Sequence, residues 1–141
     1  MKTIILIIAF LATVSNGFAQ EQIVGKWATS DGEATVEIYQ EQSKFAGKII
    51  WLKSPNDANG SPLTDMENPD KSKRNTPLIG LMMLKDFKYK NNKWEDGTIY
   101  DPEEGKTYKC SMWLEKGKLK VRGHWGMFYQ TQTWVRRELA D

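Results

Sequence analysis

The chain has 141 residues, 20 basic and 18 acidic side chains, a formal charge of +2, one cysteine and one histidine. That length suits one domain with a real core. The near balance of charge argues against a nucleic-acid binder or strong attraction to an anionic membrane. The lone cysteine excludes an internal disulfide, and one histidine with one cysteine cannot fill the ligand set of a zinc site.

Residues 1–19 read MKTIILIIAFLATVSNGFA, with one basic residue, an apolar stretch from Ile4 to Val14, and small residues at Gly17 and Ala19. This is the layout of a secretory signal peptide cleaved after Ala19. The apolar stretch falls short of the roughly 20 residues that span a bilayer, and no cysteine follows it to carry a lipid. The expectation is an exported protein, periplasmic or extracellular. Its mature part is a single domain over residues 20–141 with no transmembrane span.

Alternation dominates after residue 20. "EATVEIYQ" places Ala34, Val36 and Ile38 on one face and Thr35, Glu37 and Tyr39 on the other. "KFAGKIIWLK" (44–53) is apolar on both faces. Next comes a polar stretch, 53–78, longer than the roughly 12 to 15 residues beyond which loops are usually functional or disordered. "LIGLMML" (78–84) suits either a short strand or a turn of helix. "KWEDGTIYD" (93–101) is a strand with Gly97 as a bulge position. "KTYKCSMWLEKGKLKVRGHW" is a hairpin. Tyr108, Cys110, Met112 and Leu114 line one side of its first strand, and Leu119, Val121, Gly123 and Trp125 line one side of its second. "FYQTQTWVRR" (128–137) is the last strand.

About eight short strands in sequential hairpins fit an all-β barrel or sandwich, and favour an up-and-down antiparallel β-barrel because closure removes exposed edges. Gly25 and Trp27 near the start, and Trp134 and Arg136 near the end, suit the closure of such a barrel. First and last strands would be neighbours there, and a guanidinium stacks well on an indole.

With these stretches assembled, the chain resembles the secreted bacterial DUF2147 family, a domain of unknown function. The likeness is carried by "GKW", "VEIY", "GKIIWLK", "TDMENPD", "RNTPLIGL", "KWEDGTIYDPEEGKTYKC", "LKVRG" and "TQTWVR", in order along the chain. The resemblance implies a small envelope protein with a lipocalin-like (calycin-like) barrel and assigns no activity. Many members carry a cysteine after the "EIY" stretch and another before "GKI". Here Glu41 and Ala46 stand at those places, so no stapled hairpin is expected.

Catalysis finds little support. There is no Gly-x-Ser-x-Gly elbow and no phosphate loop, so no cofactor is implied. Cys110 alternates with apolar neighbours and reads as buried. His124 shares a polar strand face with Lys118, Lys120 and Arg122, a charged outer face that discourages edge pairing. In the polar loop, Asp65, Asn68 and Asp70 lack the spacing of a known calcium loop, so no metal site is assigned. Asp65 and Asn68 suit Asx turns, with Arg74 pairing Asp65 or Asp70. The loop then reads as an ordered lid over one barrel end.

The six tryptophans suit a plugged core first and a pocket lining second. The first functional expectation is a non-enzymatic barrel binding a small apolar or amphipathic molecule. Its contacts would be Trp51, Arg74, Asn75 and Tyr100, joined by Asp65, Asn68, Asp70 and Arg122. The second is an envelope structural or protein-interaction module with a side-chain-filled barrel.

Overall fold

In the computed structural model, residues 15–138 are described. Eight strands follow one another: β1 (Gly25–Ala28), β2 (Ala34–Glu41), β3 (Lys44–Leu52), β4 (Met82–Lys90), β5 (Lys93–Asp101), β6 (Lys106–Glu115), β7 (Lys118–Trp125) and β8 (Phe128–Arg136). Each pairs antiparallel with its sequence neighbours, and β8 returns to β1 to close the barrel. The ambiguous 78–84 stretch resolves into a turn and the start of β4. A short helix, α1 (Ser15–Glu21), precedes the barrel. Most of the expected signal peptide, residues 1–14, lies outside the described residues.

Period two sets the inside of the wall. Val36 and Ile38 on β2, Cys110 and Met112 on β6, and Leu119 and Val121 on β7 are all buried. Thr35 departs from the alternation, being buried where an outward position was expected. The register of β2 against β3 shifts between Thr35 and Val36, and Arg137 donates to the Thr35 hydroxyl at 3.4 Å. Gly97 marks a second irregularity, since the β5–β6 register shifts between Trp94 and Gly97.

The core fills one half of the barrel. Trp27, Trp94, Trp134, Phe45, Phe87 and Ile23 are its largest buried side chains. Each buried indole finds an acceptor, as a desolvated N–H requires. Trp27 donates to the Ile23 carbonyl at 2.8 Å, Trp94 to that of Gln20 at 3.2 Å, and Trp134 to the Gln132 amide oxygen at 3.0 Å. The end of α1 and the residues that join it to β1 therefore seal this end.

Barrel closure is made by the residues expected for it. Trp27 lies opposite Arg136, whose guanidinium stacks 4.1 Å from the indole centroid. Arg136 also donates to the Val24 carbonyl at 2.7 Å and to that of Gln22. Gly25 has a φ of +135°, and a Cβ there would meet the Arg136 Nη1 at 2.5 Å. Only glycine accommodates both demands.

Candidate functional site

The other half of the barrel is not filled. A cavity of about 780 Å³ opens there, reached by Ile49, Met83, Ile99, Val121 and Trp125 from the wall. Leu63 and Leu78 border it from the two arms of the 53–78 loop. Its polar groups include Tyr100, Tyr108, Gln130 and Gln132, with Asp31, Glu33, Asp101, Glu103, Glu104 and Lys106 around the opening. Gln130 and Gln132 reach this space because they share the inward face of β8 with Trp134. Their partners on β7 are Gly123 and Val121.

Local turn chemistry fixes several rim carboxylates. Asp31 Oδ1 accepts from the Glu33 amide at 3.0 Å and the Thr29 hydroxyl at 2.7 Å. The Glu33 amide, followed by the Thr29 hydroxyl, holds the Asp31 carboxyl below its ordinary value. Asp101 Oδ1 accepts from the Glu103 amide at 2.9 Å. Glu104 Oε2 accepts from the Tyr108 hydroxyl at 2.6 Å, a bond that raises the phenol's pKa. The Tyr108 ring tilts at 59° against Trp125, centroids 5.9 Å apart.

The long loop is ordered by its own hydrogen bonds. Asp65 N donates to Thr76 O at 2.8 Å and Leu78 N to Leu63 O at 3.0 Å, with bridges Asn56↔Pro62 and Thr64↔Pro77. Its middle docks on the outside of the wall. Tyr100 shares an outward face with Thr107 and Thr98, opposite the inward Ile99, and its hydroxyl donates to Asp65 Oδ1 at 2.6 Å. Asp65 is fully buried, and its Oδ2 accepts from Asn68 Nδ2 at 2.7 Å. Burial, then the bond to Asp65, pushes the Tyr100 phenol up to about 12. A smaller cleft of about 470 Å³ lies under this latch, bordered by Asp65, Asn68, Lys73, Lys85 and Tyr100. The loop thus borders the opening and clamps onto the outer wall, where the expectation was a lid across one end.

The expected contact residues scatter. Tyr100 borders both spaces, and Asp65 and Asn68 border the outer cleft. Trp51 instead stacks beneath Arg137, 4.0 Å from its guanidinium carbon. Arg122 lies on the outer wall between Trp113 and Tyr129, at 4.8 and 4.2 Å, with its Nε donating to Thr131. Arg74 pairs with neither Asp65 nor Asp70; its Nε donates to the Asn68 carbonyl at 2.8 Å. Asp70 caps the 3-10 turn Lys71–Lys73 through Ser72, and the Ser72 bonds lower its pKa. Asn75 is exposed.

Other reactive groups stand apart from the cavity. Burial pushes the Cys110 thiol up to about 12. His124 Nε2 lies 3.2 Å from the Ser111 hydroxyl, on the outer face with Arg122. Among the described residues, no group of three or more His, Cys, Asp or Glu is placed to hold a metal ion, and no helix is long and apolar enough to cross a membrane.

A family model described as "uncharacterized protein conserved in bacteria", DUF2147, matches residues 25–136, from the closure glycine to the closure arginine. The chain belongs to this family. The DUF2147 barrel is lipocalin-like. A solved structure of protein HP1028 from the human pathogen Helicobacter pylori, described as belonging to the lipocalin family, superposes with a TM-score of 0.69. That protein is 25% identical, and the match covers 82% of this chain and 83% of that one. No curated protein matches.

Proposed function

We propose that this protein is exported and binds a small apolar or amphipathic molecule in the open half of its barrel, without catalysis. The carrying observation is the cavity of about 780 Å³, within the roughly 300–1,000 Å³ typical of small-molecule sites. Its wall joins apolar side chains to the uncharged Gln130 and Gln132 amides, and its charged groups gather at the opening, the arrangement an amphipath needs. The lipocalin-like fold supports the same reading as analogy. Export follows from the N-terminal pattern, with cleavage after Ala19 leaving Gln20 to accept the Trp94 indole.

Native mass spectrometry of the exported protein is the test. Retained mass, and a rise in emission of the neutral dye N-phenylnaphthylamine on addition, are expected. The absence of both retained mass and a dye response would refute binding. The same spectrum checks the mature N-terminus at Gln20.

A second reading rests on the β7–β8 hairpin tip. Met127 is 95% exposed, and Phe128 and Tyr129 are exposed beside it. Such an apolar tip suits an envelope protein partner. Replacing Met127 and Phe128 with serine would then abolish partner capture and leave dye binding intact.

A further inference from the structure

We propose that the cavity prefers amphipaths with a cationic, amine-type headgroup, whose apolar body enters the barrel while the positive nitrogen sits at the rim. The proposal rests on the binding reading above and adds the charge of the ligand to it.

Three independent features converge on it. The first is the uncharged depth: Ile49, Met83, Ile99, Val121 and the Gln130 and Gln132 amides offer no countercharge to an ionic head, which is therefore best left at the opening. The second is the sign of that opening. Asp31, Glu33, Asp101, Glu103 and Glu104 face a single lining cation, Lys106. The whole chain carries +2, so its composition does not dictate an acidic mouth. Many of its basic side chains lie on the outer wall, where Lys120 and Arg122 donate to Thr133 and Thr131 of the neighbouring strand.

The third feature is an aromatic corner. Tyr108 and Trp125 stand 5.9 Å apart at 59° on the cavity wall, with the Glu104 carboxylate fixed to the Tyr108 hydroxyl. Aromatic faces beside a carboxylate form the chemistry that holds ammonium groups. The carboxylates are set before any ligand arrives. Asp31 and Asp101 each tie one oxygen into a turn and Glu104 gives one to Tyr108, while their other oxygens have no partner among the described residues. Glu33 is the rim acid with a countercharge, at 4.0 Å from exposed Lys53. An anionic headgroup at the same place would meet like charges, a repulsion that discriminates as much as the attraction does.

The test is displacement of N-phenylnaphthylamine from the full mature chain by decyltrimethylammonium, decyl sulfate and decyl maltoside, each below its aggregation concentration. The cationic competitor is expected to displace the dye at about one tenth the concentration of the anionic one, a gap that narrows as salt is raised. The double variant Glu103→Gln, Glu104→Gln should bring the two within about threefold, because glutamine keeps an acceptor for Tyr108 but removes the charge. Equal or better displacement by decyl sulfate overturns the charge preference and leaves the binding reading standing. So does an undiminished gap in the double variant. A chain that never takes up the dye, with no retained mass, removes both.

Discussion

Gly97 lies beneath the ring of Phe87, where an added Cβ would stand 2.5 Å from three ring carbons. Phe87 is fully buried and cannot swing into solvent, so the clash falls on the core. Gly97→Ala is therefore expected to destabilise the fold by about 1–3 kcal/mol, the usual cost of overpacking. It should appear as a lower urea midpoint at unchanged slope. Cys110 belongs to the same closed half. Its thiol is held near 12 by burial, so the thiolate is scarce at neutral pH. Iodoacetamide should leave the native protein unmodified and react fully only after denaturation, as mass spectrometry would record; rapid labelling of native protein would mean that the barrel wall opens there.

At the scale of elements, the informative junction is the loop latched to β5. Asp65 is fully buried in a segment that is otherwise mostly exposed, and the Tyr100 hydroxyl and Asn68 amide satisfy its two oxygens. Tyr100→Phe removes one donor and leaves buried acceptor capacity unpaired, a loss of about 1–3 kcal/mol. Amide exchange over residues 56–76 should then speed up while the β6–β7 hairpin stays protected. The pH dependence has a definite sign. The folded phenol titrates near 12 against an ordinary 10.0, so the native state favours the protonated form. The latch contributes fully below pH 10 and its contribution is lost as pH rises through 12. Denaturant midpoints across that window should fall in the parent chain and fall less in Tyr100→Phe. Both partners were visible in the sequence as loop acid and strand tyrosine, but their pairing joins residues 35 apart along the chain. No local spacing rule reports such a contact.

For the molecule as a whole, period two was enough to read the β6–β7 hairpin and an all-β barrel or sandwich, and the run of sequential hairpins favoured the closed form. Alternation reports which way a side chain faces, and a small barrel can be filled or hollow with the same alternation. That is why the open half was not legible, and why Trp51 and Arg122 were expected near a ligand while Gln130 and Gln132 were not. The tryptophans divide by position: Trp27, Trp94 and Trp134 plug the closed half, whereas Trp125 stands at the opening. Closure itself depends on one guanidinium. Arg136 stacks on Trp27 and holds the Val24 and Gln22 carbonyls, tying the last strand to the segment that seals the floor. The β1–β8 register is only two residue pairs long, Trp27↔Arg136 and Ala28↔Val135, so side-chain contacts must supply much of the seam's strength. Arg136→Met keeps the length of the side chain and removes the charge and the donors. It should cost about 1–3 kcal/mol from lost stacking and hydrogen bonds together. The loss should be local in origin: amide protection falls first in β1 and β8, and the emission of buried Trp27 shifts red before the global urea transition. An Arg136→Met chain with the parent's midpoint and unchanged protection in β1 would mean that the seam is held by its short ladder and by Ile23 packing instead.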